Sequence, residues 1–149
     1  MNETIKNLVE RRSCRNYKSE QIKDEELNEI LKAGEYAPTG MGMQSPKMIV
    51  LQNKEIIQRL SKLNAKVMGR DIDPFYSAPT VIVVLSDKTK NTYIEDGSLV
   101  LGNLMNAANS LGIGSCWIHR AKEEFETEEG QELLKEWNIT DNYVGIGHC

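Results

Sequence analysis

The chain has 149 residues, 40% of them hydrophobic and 27% charged, with a net charge of −4. That balance suits one soluble domain over 1–149 with a real core, and argues against general nucleic-acid binding, which wants a broad basic surface. No apolar run approaches the roughly 18 residues that a membrane span needs, and the polar N-terminus has no signal-peptide character, so no membrane role is expected. Cys14, Cys116 and Cys149 are odd in number and widely spaced, with no CxxC or zinc-ligand spacing. They read as reduced thiols of a cytoplasmic protein. His119 and His148 are the only histidines, too few for a histidine-based metal site.

In chain order, Thr4 is expected to cap a first helix with Ile5, Leu8 and Val9 on one face. That helix delivers Arg11-Arg12-Ser13-Cys14-Arg15, three guanidiniums within five residues of an acidic chain. Asp24 would cap a second helix with Leu27, Ile30 and Leu31 as its apolar stripe, and Pro38 ends that pattern. Thr39 to Pro46 reads as an irregular loop whose glycines let backbone approach a ligand, and Met48 to Leu51 as a strand. Asn53 would cap a third helix, with Ile56, Ile57, Leu60, Leu63 and Val67 facing inward. A turn-rich loop follows from Gly69 to Pro79.

Val81 to Leu85 is apolar without alternation, as a strand buried on both faces should be. From about Thr92 to Leu111 the chain is helical and apolar around most of its circumference, fit for the centre of a domain or a dimer, with Gly112 as its cap. Ile113 to Ile118 is expected as a short strand, Thr127 as the cap of a last helix, and Tyr143 to Gly147 as a final strand. Strands separated by helices give a layered protein with helices covering a sheet.

The chemistry-bearing motifs are few. No GxSxG, GxGxxG after a strand or GxxxxGK[ST] is present. Glu123-Glu124 and Glu128-Glu129 read as solvated helix ends. The arginine stretch has two readings: a clamp for a compact anion such as phosphate, since the planar guanidinium fork suits it, or a solvated helix end complementing the macrodipole. With a Gly/Met/Gln loop and a buried central helix, but few groups for acid–base work, the profile fits a protein whose reactive centre is a bound cofactor.

Several motifs together resemble the FMN-dependent nitroreductase family. Arg11-Arg12-Ser13, with Arg15 and Tyr17, resembles its opening signature, and Ala37-Pro38-Thr39-Gly40 through Gln44 its second. Asp96-Gly97-Ser98 and Gly102 to Ala108 resemble its central helix, Leu111 to Ile118 the strand that follows, and Val144 to His148 the next core strand. The resemblance implies an α+β fold: a three-layer α-β-α sandwich with a mixed, mainly antiparallel central sheet, working as an intertwined homodimer with two FMN sites at the interface. It implies that Arg11, Arg12 and Ser13 hold the phosphate and ribityl chain and that Arg15 faces the N1/O2 edge of the flavin. Pro38, Thr39 and Gly40 would come from the other subunit with Gln44 nearby. Asn64 would reach the ring's polar edge, and the backbone at His119 and Arg120, just after Ile118, would lie by flavin N5.

The implied activity is ping-pong hydride transfer from NADH or NADPH to nitroaromatic, quinone or similar flat acceptors, with no side-chain catalyst and no metal. Alternatives are another flavin reaction, such as dehalogenation or enone reduction, and a non-catalytic or degenerate flavin-binding dimer. An RNA-binding module using the arginine patch is a weaker alternative, lacking an aromatic platform. Two departures accompany the resemblance. Gly42 stands where many members have Asn, and the family's C-terminal tail, which serves the partner's sheet and the phosphate, is expected to be missing after Cys149.

Overall fold

The computed structural model describes residues 1–149. Its organising element is strand β2, Val81–Asp87, in which all seven residues are buried. Strand β1 (Lys47–Leu51) lies antiparallel on one side of it and β3 (Tyr143–His148) antiparallel on the other, giving the order β1-β2-β3. The register runs from Lys47 opposite Leu85 to Leu51 opposite Val81. Between Val84 and Leu85 the pairing with β3 slips by one residue, a bulge that bends the strand locally.

Alternation along β2 divides the core in two. Val81, Val83 and Leu85 face α3 (Lys54–Met68), α5 (Ala121–Glu126) and α6 (Glu128–Glu136) through Ile57, Leu60, Phe125 and Leu133. Ile82 and Val84 face α2 (Asp24–Glu35) and α4 (Tyr93–Ser110) through Leu27, Ile30, Leu101 and Leu104. Helices therefore cover both faces of the sheet, as the apolar run at 81–85 implied, and the result is the expected three-layer α+β arrangement. No helix is long and apolar enough to cross a membrane.

The local signals hold at three helix ends. The Asn53 side chain caps α3 by accepting from the N–H groups of Glu55 and Ile56, and Thr127 caps α6 by accepting from Gly130 N. Gly112, at φ 73°, closes α4: its N–H reaches Asn109 O at 3.0 Å and that of Ile113 reaches Ala108 O at 2.9 Å, which satisfies two end carbonyls.

Four expectations need correction. Asn2, not Thr4, caps α1 (Glu3–Glu10), because its Oδ1 accepts from Ile5 N at 2.9 Å. Asp24 is the first residue of α2 rather than its cap; the Glu26 carboxylate instead accepts from Lys23 N. The strand expected at 113–118 is reduced to two isolated bridges, Ser13 with Ser115 in parallel and Ile118 with His148 antiparallel. Finally, Glu124 is no solvated helix end: it is fully buried in α5, a six-residue helix that the sequence pattern did not suggest.

Candidate functional site

The segment after α1 turns the arginine stretch along residues 114–116, with Cys14 N donating to Ser115 O at 2.9 Å. Its guanidiniums are used differently. Arg12 is exposed and its Nη1 donates to Val9 O and Arg11 O, both at 2.8 Å, so it serves the helix end. Arg15 and Ser13 are exposed. Arg11 is half-buried, and its Nη1 is sealed from solvent without a hydrogen-bond partner. A buried cationic donor left bare costs about 1–3 kcal/mol or more, so this atom is poised for an acceptor.

The second candidate group is the loop at 38–44. It contains a short 3₁₀ turn, Gly40–Gly42, with Met41 and Gln44 at positive φ (54° and 49°). The strain is held by two devices. Gly40 N donates to Asp96 Oδ1 at 2.9 Å, while Asp96 Oδ2 accepts from Thr92. Gln44 folds inward, with Nε2 donating to Glu35 O at 2.6 Å and Oε1 accepting from the Thr39 hydroxyl. Gln44 therefore shapes the loop. Met41 and Met43 project outward, Met41 being 96% exposed.

These two groups stand at opposite ends of α4. The loop is tied to Asp96 in its first turn, whereas α1 is tied to its last turns by Asn7 Nδ2 on Asn106 O at 2.8 Å and by Asn109 Nδ2 on Asn7 Oδ1 at 2.6 Å. The ten residues from Asp96 to Asn106 span roughly 15 Å at 1.5 Å per residue. One chain therefore does not bring Pro38, Thr39 and Gly40 against its own Arg11.

The third group is the backbone at 118–120. Arg120 sits at φ 73°, left-handed for a residue with a Cβ. Asn64, fully buried on α3, holds it there: Nδ2 donates to His119 O and Oδ1 accepts from Arg120 Nε, both at 2.9 Å. The Asn64 amide thus links the His119 carbonyl to the Arg120 side chain, with both of its ends engaged. The His119 side chain is exposed. On the other side, Ile118 and His148 exchange backbone hydrogen bonds of 2.9 and 3.0 Å. The ring of His148 also contacts Ile118 O through Nδ1 at 2.8 Å, and its Nε2 contacts Glu124 Oε2 at 2.6 Å. No periodicity or motif pointed to Glu124, which stands beside Glu123 and so reads as solvated.

A cavity of about 450 Å³ is lined by Tyr17, Leu27, Ile82, Ile118 and all three cysteines. None of Arg11, Arg12, Arg15 or residues 38–44 lines it. Burial, with the nearby Cys116, pushes the Cys149 thiol up to about 12, and burial followed by the three thiols raises Tyr17. Such a thiol stays protonated and reads as packing.

The model of the nitroreductase family matches residues 8–74. A protein of Archaeoglobus fulgidus, provisionally named NADH dehydrogenase/NAD(P)H nitroreductase, is 33% identical over 149 residues, covering 97% of this chain and 81% of its own. A Bacteroides fragilis nitroreductase solved with bound FMN superimposes with a TM-score of 0.92 at 27% identity, over 99% of this chain and 86% of that one. A Desulfitobacterium hafniense nitroreductase, also solved with FMN, gives 0.88 at 31% identity over 99% and 87%. With the arginine segment, the Asp96-anchored loop and the clamped 118–120 backbone in place, and with a relative this similar over nearly its whole length, the chain belongs to the nitroreductase family.

Proposed function

We propose that residues 1–149 form one flavin-binding domain of an FMN-dependent, NAD(P)H-driven oxidoreductase, acting as a homodimer in a reducing compartment. The observation that carries the reading is the buried, partnerless Nη1 of Arg11. Phosphate oxygen is the acceptor that a fixed guanidinium suits best, and a charge-assisted bond there would offset the desolvation already incurred. Arg12 and Ser13 would complete the hold on the phosphate and ribityl chain. Arg15 would supply positive charge to the ring, where added electrons concentrate. Bound FMN supplies two-electron hydride chemistry that no side chain here can perform.

The rest of the chain orients and encloses. The backbone from Ile118 to Arg120, fixed by Asn64 and His148, offers rigid polar groups to the ring without a titratable side chain. Pro38, Thr39 and Gly40 of the partner subunit would close the site, because the same residues of one chain lie at the far end of α4. Exposed apolar side chains support the dimer: Ile5, Leu8 and Val9 on α1, and Ile94 and Leu99 on α4, are 45–53% exposed. Apolar side chains this open are suited to burial against a second copy. Met41 and Met43 would line an adaptable acceptor pocket. Nitroaromatics and quinones, flat and electron-poor, are the acceptors proposed, taking turns with NAD(P)H.

The test is an anaerobic titration of the purified protein with FMN, then with NADH or NADPH. One FMN per chain is expected, with the flavin absorbance bleached by reductant and restored by a quinone. A protein that cannot be saturated with FMN refutes the reading; one that binds FMN but resists both reductants refutes the enzyme and leaves a flavin binder.

A further inference from the structure

Glu124 and His148 are both fully buried, yet they belong to no recognised site. Their meeting is built by the fold. Helix α5 sits on β3 at Gly145, where a Cβ would come 2.5 Å from the carbonyl carbon of Ala121. The turn into α6 is fixed by the Thr127 hydroxyl donating to Glu124 O at 2.6 Å. Glu124 thereby points into the core under β3, where Phe75 packs edge-on against the imidazole at 5.1 Å.

Both ring nitrogens of His148 face acceptors: Nδ1 faces Ile118 O and Nε2 faces Glu124 Oε2. A neutral imidazole carries one N–H, so one contact needs a hydrogen from elsewhere. Either the ring is an imidazolium beside a carboxylate, or Glu124 is a carboxylic acid donating to Nε2. The other carboxyl oxygen, Oε1, decides between them. It is buried with no donor. A bare ionised oxygen there is far costlier than a bare neutral carbonyl.

We infer that Glu124 and His148 form a neutral pair, with the proton on Glu124 and the N–H of the ring on Nδ1, that positions the Ile118 carbonyl and through it the Ile118–Arg120 backbone. The inference rests on the proposed function only for its consequence, because that backbone is the stretch assigned to the flavin ring. The two residues are positioning residues. With the Asn64 clamp they hold the segment from both sides, and removal of either should loosen it.

Glu124→Gln is the conservative variant: an amide N–H can donate to Nε2, as the carboxylic acid does. Glu124→Ala removes the donor. Leu133→Ala, a core change in α6 that removes neither partner of the pair, controls for general destabilisation. Two readouts use the protein without cofactor: the ¹⁵N shifts of the His148 ring and hydrogen exchange of the Ile118 and His148 amides. The expected wild-type ring is neutral and Nδ1-protonated. Exchange at the two amides is expected to quicken at least tenfold in Glu124→Ala relative to Leu133→Ala matched for stability, and to stay near wild type in Glu124→Gln. With FMN, Glu124→Ala should bind at least tenfold more weakly and carry a more negative flavin potential, and Glu124→Gln should recover both. An imidazolium signal, or a Glu124→Ala variant no different from Leu133→Ala, overturns the inference. Failure of the wild type to bind FMN overturns the proposed function instead, while ring and exchange data still decide the pair.

Discussion

Replacing Arg11 by alanine separates binding from folding. In the protein without cofactor, the Nη1 atom makes no hydrogen bond and is sealed from water, so its removal takes away a desolvated charge and no polar contact of that atom. The Arg11 backbone N–H still reaches Asn7 O at 3.2 Å, so the end of α1 keeps that bond. Stability without FMN should therefore hold or rise, by up to about 1–3 kcal/mol as the bare buried donor is removed. With FMN the variant loses a charge-assisted bond to phosphate, about 1.5–3 kcal/mol. At about 1.4 kcal/mol per tenfold, the dissociation constant rises roughly 12- to 150-fold. Quenching of FMN fluorescence by the apoprotein measures it, and urea unfolding without FMN supplies the control. An unchanged dissociation constant would refute the clamp, and a large loss of stability without FMN would show that Arg11 is structural.

Three further outcomes follow from the geometry. Asn64→Ala removes the part-buried bonds to His119 O and Arg120 Nε, which should cost about 0.5–1.5 kcal/mol per bond and weaken FMN binding as well; a variant as stable as wild type by urea unfolding would show that the clamp holds nothing. Gly97→Ala puts a Cβ 2.5 Å from Ile146 Cγ1 and 2.6 Å from Ser86 Oγ, where α4 meets the sheet, for a loss of about 1–3 kcal/mol. Calorimetry should show a lowered melting temperature, and an unshifted one would mean that α4 is not seated as described. Acid stability has a definite sign. The Thr89 hydroxyl, then Asn142 and Thr89 N–H, hold Asp87 at about 2, and Asp73 is lowered by Ser61, Ser77 and Phe75 despite the opposing effect of burial. Both folded values lie below the unfolded carboxylate value, about 3.9. Their contribution is therefore complete above about pH 5 and lost as pH falls through 4 towards 2. Urea midpoints should drop as pH falls below 5, less steeply in Asp87→Asn; an equal drop in that variant would contradict the assignment.

The layers of the fold were legible because burial leaves a strong pattern. The unbroken run at 81–85 marked the central strand, and Asn53, Thr127 and Gly112 marked helix ends through groups that had to find partners. The segment at 113–118 misled, because its apolar character comes from lying against β3 and residues 13–15 through single bridges rather than through a ladder. Helix α5 was hidden by its glutamates: a carboxylate beside another reads as solvated unless a distant His148 is known to meet it. The arginine stretch was legible as an anion clamp or a helix end; Arg12 makes the helix-end contacts, while Arg11 Nη1 is buried without a partner. That the loop at 38–44 stands apart from Arg11 was beyond any local pattern, since it depends on which ends of α4 the two segments meet.

The central claim is that Arg11 holds the phosphate of FMN in a site shared by two chains. A crystal structure of the protein with FMN tests it most directly. The account predicts a phosphate oxygen within hydrogen-bond distance of Arg11 Nη1 and Pro38 to Gly40 of the partner subunit over the same flavin. A phosphate bound away from Arg11, or a flavin enclosed by one chain alone, would contradict it.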